Sequence, residues 1–291
     1  MPKPSFICIG GQRCGTTRLH RVLNEHPDIQ MTIDGFDQFN KEIHYFDKLI
    51  IKQPLKWYEN HFSSFKVSGE ITPAYSTLSK DCVRLVGNYL PLAKIIFIVR
   101  NPVDRIWSQI RMMKTSWNQN SADFLEFPQL VSLFDSPAVQ LRSDYLQTYL
   151  NWASVYNSDN FLILTFDELL SLDGLRRLFR FLGIAEDWIP SDEVLKPILA
   201  SPVLTFPKEL RWLSALRWLD MLKQFSEFCD PASLWIDEMS ADKNNMPSSF
   251  LTMVSAIRLR QLETTRSKWI NSNNLQNSLA SSLSSRLKIE E

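Results

Sequence analysis

Residues 6–19 read FICIGGQRCGTTRL and carry the strongest structural signal in the chain. The apolar run from Phe6 to Ile9 predicts a buried strand, the glycines that follow predict a tight turn, and the residues after Gly15 predict a helix. A glycine-bearing turn between a strand and a helix suits an anion, because backbone N–H groups and the helix N-terminus point at it. We therefore expect a phosphate- or sulfate-binding loop made by Gly11, Gln12, Arg13, Cys14, Gly15, Thr16 and Thr17.

The loop differs from a Walker A sequence at one decisive position. Counting from Gly10, the place of the Walker lysine is taken by Thr16. A kinase or ATPase also needs an Asp at the end of a neighbouring strand to hold Mg²⁺, but the apolar run Ile95 to Val99 ends in Arg100. An arginine there predicts direct anion binding without a metal. A P-loop small-molecule kinase is the less favoured alternative, and an ordinary glycine-capped turn is another.

Strand and helix patterns alternate along the chain. Besides the first run, short β-branched segments predict strands at Lys66–Ser68, Ile95–Val99 and Phe161–Leu164, each followed by a helical pattern. This alternation predicts an α/β fold with a central parallel sheet flanked by helices. We expect a single domain over residues 1–270 and a Ser- and Asn-rich tail, 271–291, that frays. Residues 112–137 lack periodicity and predict a long irregular excursion, while Pro207 to Phe225 predicts a docked helix.

The composition excludes several classes of partner. The 291 residues include 32 Lys plus Arg and 32 Asp plus Glu, so no overall field would attract nucleic acid or an anionic membrane, and we expect neither. Four cysteines without metal or disulfide spacing favour a reducing compartment. The absence of a signal-peptide pattern and of a bilayer-length apolar run predicts a cytoplasmic protein without a membrane anchor. The sequence makes no prediction of the oligomeric state.

Two motifs, in this order, resemble those of the sulfotransferases that use 3′-phosphoadenosine 5′-phosphosulfate, particularly the carbohydrate and bacterial branches. Residues 10–17 are similar to the family's 5′-phosphosulfate loop, and residues 99–108, VRNPVDRIWS, are similar to its 3′-phosphate segment. Further similar segments are Lys41 to Asp47, Trp57-Tyr58 with Phe62, Gly69 to Tyr75, and Phe161 to Gly183. The resemblance implies a P-loop nucleotide-kinase-like fold and sulfuryl transfer to a hydroxyl or amine of a small-molecule or carbohydrate acceptor.

The resemblance also implies roles for individual residues. The loop would hold the 5′-phosphosulfate, while Arg100 and Ser108, which lie across one strand-to-helix turn, would hold the 3′-phosphate. Glu42 is the expected general base, and His44 is the reserve base. Lys243 weakly matches a lysine-bearing loop that closes over the nucleotide, with a solvated turn as the alternative. The co-substrate would leave as adenosine 3′,5′-bisphosphate, and no metal is expected.

Two positions depart from the family pattern. Arg13 stands where most members have a lysine that stabilises the leaving oxygen, so its contribution to catalysis would be electrostatic, because arginine stays protonated. Ile71 stands where the glycosaminoglycan branch often has lysine, which weakens the expectation of a glycosaminoglycan acceptor. The change at Arg13 keeps one further alternative open: a nucleotide-binding but catalytically inactive docking module. In another alternative, Arg100 only pairs with Asp104.

Overall fold

The computed structural model describes residues 2–32, 35, 37, 41–62, 67–116, 126–196 and 206–264. They fall into two compact units, one within 1–124 and 137–244 and the other within 125–136 and 245–291. The single domain proposed over residues 1–270 stays a prediction, and the tail 271–291 lies outside the described residues. The candidate site belongs wholly to the first unit.

The first unit contains a parallel sheet, which confirms the predicted fold class. Its strands follow the order β2-β3-β1-β4-β5, and each pairs in parallel with its neighbours. They are β1 (Phe6–Gly10), β2 (Ile29–Met31), β3 (Val67–Ile71), β4 (Lys94–Val99) and β5 (Phe161–Thr165). Because the chain runs from β1 first to β2 and β3 on one side and later to β4 and β5 on the other, β1 is the topological switch point. The carboxyl end of β1 is therefore where such a sheet binds its ligand.

The helices of the first unit surround this sheet. They are α1 (Thr16–Glu25), α2 (Leu55–Glu59), α3 (Lys80–Tyr89), α4 (Pro102–Ser116), α6 (Pro137–Ser143), α7 (Tyr145–Ala153), α8 (Phe166–Leu169), α9 (Leu172–Leu182), α10 (Asp192–Leu195), α11 (Lys208–Phe225) and α12 (Ala232–Asn244). Short turns of other helix types cover Tyr45–Leu49, Pro73–Thr77 and Ser158–Asn160. The helix predicted from Pro207 to Phe225 is confirmed as α11, and Leu210, Leu213 and Leu222 on it are buried. Gly183 ends α9 in the left-handed conformation, as its position in the sequence predicts.

The second unit contains the remaining helix, α5 (Phe127–Phe134), together with helical residues 248–264. Arg258 holds these two parts together with a two-pronged ion pair to Asp135, at 2.7 Å for each contact. The irregular excursion expected over residues 112–137 is wrong for the described part, since α4 continues to Ser116 and α5 follows. Residues 117–125 lie outside the described residues.

Candidate active site

The phosphate loop, residues 10–17, takes backbone conformations that explain its glycines. Gly10 has φ 117° and packs so closely against Pro73 that an added Cβ would lie 2.8 Å from the Pro73 carbonyl oxygen. Gly15 has φ 90°, and an added Cβ would lie 2.9 Å from the ring of Phe166. Arg13 is also left-handed, with φ 68°, a conformation that costs free energy for a non-glycine residue and is often kept at functional sites. The loop is thus fitted tightly between the carboxyl ends of β3 and β5.

Some N–H groups of the loop hold its shape. The Gly11 N–H donates to the Ile98 carbonyl at 2.5 Å, and the Cys14 N–H donates to the Gly11 carbonyl at 3.2 Å. These two N–H groups are therefore already hydrogen-bonded within the protein, and the expected donors to an anion are other groups of the loop. The Cys14 thiol is buried, and burial raises its pKa to about 11. Cys14 thus contributes to packing.

The first turn of α1 supplies the remaining expected donors. No side chain caps this helix, and the first N–H groups of any α-helix have no partner inside it. The N–H groups and hydroxyls of Thr16 and Thr17 lie at this end, beside the half-buried Gln12. The helix terminus adds partial positive charge to the same place.

Arg13 and Ser108 join the two anion-binding motifs. The Nε–H of Arg13 donates to the Ser108 hydroxyl oxygen at 3.0 Å, across 95 residues of sequence. Ser108 lies on α4, which begins after β4, so the bond connects the loop after β1 with the helix after β4. Both residues were predicted to bind anions, and the structure brings them into direct contact.

Arg13, Arg100 and Arg111 form an arginine cluster next to the loop. Burial lowers the pKa of Arg13, and the positive charges of Arg111 and Arg100 lower it further. Among the described residues, the one ion pair of Arg100 is a loose one with Asp104 at 3.8 Å, and its guanidinium lies 4.6 Å from the centre of the Phe166 ring. The interpretation that Arg100 merely pairs with Asp104 is therefore poorly supported. Like charges held together in this way favour an anionic ligand.

Lys243 does not lie in a loop, which corrects the sequence-based expectation. It is exposed on the last turn of α12. The same helix approaches the 3′-phosphate segment, because Asn101 donates to the Glu238 carboxylate at 2.9 Å. A nucleotide contact by Lys243 stays a prediction.

Glu42, His44 and Asp47 have charged side chains, and His44 contacts both carboxylates. The sequence analysis assigned no role to Asp47. The His44 Nε2 lies 3.1 Å from the Glu42 carboxylate, and its Nδ1 lies 2.9 Å from the Asp47 carboxylate. Hydrogen bonds to Asp47 and then to Glu42 raise the pKa of His44 to about 9. Burial raises the pKa of Glu42, but hydrogen bonding to His44 and the charge of Lys41 outweigh burial and lower it overall. At neutral pH, Glu42 is therefore a carboxylate and His44 an imidazolium, which disfavours His44 as a base.

Lys41 anchors the other side of Glu42. Its side chain is buried and forms ion pairs with Glu42 and, at 3.2 Å, with Asp37. Its carbonyl accepts the N–H of Ile71 at 3.2 Å, so the base segment, residues 41–47, lies along the end of β3. Glu42 is thus placed at the carboxyl edge of the sheet that also carries the phosphate loop.

Glu70 is a buried acid for which the sequence motif gave no role. Its carboxylate accepts hydrogen bonds from the hydroxyls of Tyr58 at 2.6 Å and Thr72 at 2.7 Å, and from Tyr75 at 3.3 and 3.4 Å. Burial raises its pKa to about 7, although these hydroxyls act in the opposite direction. Only the presence of an acid within a buried strand could have drawn attention to it from sequence.

Arg111 and Asp47 are the other residues that sequence reasoning missed. Each has a positional signal: Arg111 follows Ser108 by three residues and Asp47 follows His44 by three, the spacing of neighbours on one helical face. Asp47 lies in the helical turn Tyr45–Leu49, and Arg111 lies in α4. Neither signal is specific without the structure.

Comparison with known proteins finds sulfotransferases similar to this chain. Human bifunctional heparan sulfate N-deacetylase/N-sulfotransferase 2 is 27% identical over 197 residues, which cover 62% of this chain and 22% of that protein. The membrane-associated sulfotransferase kil1 of Dictyostelium discoideum is 33% identical over 130 residues, covering 43% of this chain and 26% of that protein. The chain therefore matches only about a quarter of the length of these relatives. Among the residues that the structure describes, no helix has the length and apolar character needed to span a bilayer.

A solved structure shares the fold. The crystal structure of a sulfotransferase from Alicyclobacillus acidocaldarius matches with a TM-score of 0.54 and 18% identity, over 86% of this chain and 99% of that one. The sulfotransferase domain family matches residues 3–227, a range that contains the phosphate loop, the base segment and the 3′-phosphate segment. This chain therefore belongs to the sulfotransferase domain family.

Proposed function

We propose that this protein transfers a sulfuryl group from 3′-phosphoadenosine 5′-phosphosulfate to a hydroxyl or amine of a small-molecule or carbohydrate acceptor. The observation that carries the proposal is the contact between Arg13 and Ser108, because it unites the two anion-binding motifs in one site. Cations and hydroxyls make up this site, which suits a nucleotide with two separate anionic groups bound without Mg²⁺.

Each end of the donor nucleotide has its own group of residues. Thr16, Thr17 and the helix N-terminus hold the 5′-phosphosulfate, and Arg13 faces the oxygen that bridges phosphorus and sulfur. Arg100 and Ser108 hold the 3′-phosphate. Gly11, Gln12, Cys14 and Gly15 shape the loop around the ligand.

The chemical step is an in-line displacement at sulfur. The acceptor oxygen or nitrogen forms a bond to sulfur as the bond from sulfur to the bridging oxygen breaks, and Glu42 takes the acceptor proton. The bridging oxygen keeps the electron pair and leaves on adenosine 3′,5′-bisphosphate, where Arg13 stabilises its charge. His44, held as an imidazolium by Asp47, keeps the Glu42 carboxylate ionised and oriented.

The similar proteins indicate only the broad chemical class of the acceptor. Two of the similar proteins are named as heparan sulfate sulfotransferases, one acting on nitrogen and one, from mouse, on the 3-oxygen of glucosamine. A glucosamine-containing acceptor is therefore the first to test, although Ile71 departs from the lysine often found in that branch. We also propose a cytoplasmic location, which the four free cysteines support: all lie in the described residues and none forms a disulfide.

Product analysis tests this function. The protein, supplied with the donor and a panel containing de-N-sulfated heparosan oligosaccharides, chitooligosaccharides and phenols, should form adenosine 3′,5′-bisphosphate together with an acceptor heavier by one sulfuryl group. Arg13→Ala should lose this product. Tight binding of the bisphosphate without any sulfated product across the panel would favour the inactive docking module.

A further inference from the structure

Glu70 is connected to the base segment through the side chains to which it is hydrogen-bonded. Its side chain is fully buried in β3, and no lysine or arginine is among its hydrogen-bond partners in the described residues. A buried acid without a cation is costly, so such a group is usually kept for a purpose other than stability.

The partners of Glu70 have a second set of contacts. The Thr72 hydroxyl accepts the Ile43 N–H at 3.1 Å, and the Tyr75 hydroxyl accepts the Tyr45 N–H at 2.9 Å and the Phe46 N–H at 3.4 Å. These three N–H groups lie on either side of His44, and the first of them, on Ile43, directly follows Glu42. The backbone that carries the proposed base is therefore held by two hydroxyls, and both hydroxyls are held by Glu70.

The chemistry of a carboxylate fixes the direction of these hydrogen bonds. An ionised carboxylate can only accept, whereas each hydroxyl has one hydrogen and two lone pairs. Thr72 and Tyr75 must therefore direct their hydrogens at Glu70 and present lone pairs to the backbone N–H groups. A neutral side chain that also donates would remove this requirement.

We propose that Glu70 is a positioning residue, which fixes the Thr72 and Tyr75 hydroxyls so that they hold the base segment and keep Glu42 aimed at the acceptor. The proposal rests on the proposed function, because it takes Glu42 as the base. A small displacement of a catalytic group from the reacting atoms lowers turnover strongly. The contacts that bind the substrate at other positions are unaffected. Glu70 thus acts on kcat and does not contact the donor nucleotide.

Hydrogen exchange gives a direct test that needs no acceptor. With adenosine 3′,5′-bisphosphate bound at about pH 8, where Glu70 is ionised, Glu70→Gln should raise amide exchange about tenfold or more in residues 43–46. Residues 10–19 should be unchanged. Thr72→Val, which leaves Glu70 in place, should raise exchange at Ile43, and this variant keeps the proposal testable if Glu70→Gln does not fold.

A matched control separates positioning from general stability. Tyr89 donates to the Glu59 carboxylate at 2.6 Å, a bond of the same kind and length as the Tyr58 bond to Glu70, but it lies outside the base segment. Tyr89→Phe should lower the melting temperature, because it removes a hydrogen bond to a carboxylate, and it should leave exchange in residues 43–46 unchanged.

Turnover completes the test, with the panel acceptor that gives the highest rate. Glu70→Gln and Thr72→Val should each lower kcat about 10- to 100-fold, with KM for the donor within about twofold of wild type. Their double variant should be no worse than the more damaged single variant, because both act through one hydrogen-bond chain. Tyr89→Phe should keep kcat within about twofold.

The outcomes distinguish this proposal from the proposed function. If Glu70→Gln leaves exchange in residues 43–46 and kcat near wild type while Glu42→Gln loses turnover, Glu70 is not a positioning residue and the base assignment stands. If the donor KM rises as much as kcat falls, or if the Glu70 and Thr72 effects add, the positioning role is also wrong. If Glu42→Gln retains turnover, the proposed function loses its base, whatever Glu70 does.

Discussion

Arg100→Ala should weaken binding of adenosine 3′,5′-bisphosphate and leave binding of adenosine 5′-phosphate, which lacks the 3′-phosphate, nearly unchanged. The structure gives the reason. In the part of the chain that the structure describes, the carboxylate that pairs with Arg100, on Asp104, is 3.8 Å away, beyond hydrogen-bond distance, and the guanidinium lies against Phe166, so it is available to an anion.

The size of the loss follows from the single interaction removed. A hydrogen bond to a charged partner contributes about 1.5–3 kcal/mol, and every 1.4 kcal/mol is about tenfold in affinity. The dissociation constant of the bisphosphate should therefore rise about 10- to 150-fold. The wild-type preference for the bisphosphate over the monophosphate should shrink by the same factor.

Isothermal titration calorimetry with a chelator present measures both ligands. Arg176→Ala is the control, because Arg176 is an exposed arginine on α9 whose one ion pair within the described ranges is with Asp173 at 3.2 Å, and it should change neither affinity. Equal losses for the two nucleotides in Arg100→Ala would refute the assignment of Arg100 to the 3′-phosphate.

Two further predictions concern the base segment. Glu42→Gln keeps the shape of the side chain but cannot take a proton, so kcat should fall about 100-fold or more with bisphosphate affinity unchanged; near-native turnover would exclude Glu42 as the base. Because its hydrogen bonds to Asp47 and Glu42 raise the pKa of His44 to about 9, His44 contributes stability that is fully present below about pH 6.5 and is lost as the pH rises through about 9. The difference in free energy of unfolding between wild type and His44→Gln, from denaturant titrations, should shrink over that range, and a difference independent of pH would contradict the ion pair.

Local patterns allowed much of the fold to be predicted. Four of the strands and the loop after β1 were predictable, because a buried parallel strand is a continuous apolar run and glycines mark a turn. Strand β2 was missed because it is only three residues long, Ile29–Met31, with a polar residue at its centre. The end of α4 and the whole of α5 were missed because the segment is rich in residues typical of turns, and packing overrode that preference.

The sequence motifs of the site could be predicted, but the contacts between the motifs could not. Arg100 and Ser108 could be paired from sequence because they flank one strand-to-helix turn. The contact between Arg13 and Ser108 and the hydroxyls that join Glu70 to the base segment depend on side chains from different strands and helices. Such long-range contacts leave no periodic signal in the sequence.

The most direct test of the account is a comparison of two nucleotides by calorimetry. The arginine cluster and the threonines of the loop should bind adenosine 3′,5′-bisphosphate in the presence of a chelator and raise the melting temperature through that binding. ATP with Mg²⁺ should bind at least about tenfold more weakly, because it lacks the 3′-phosphate that Arg100 and Ser108 recognise. Tight binding of ATP with Mg²⁺, together with no binding of the bisphosphate, would contradict the account.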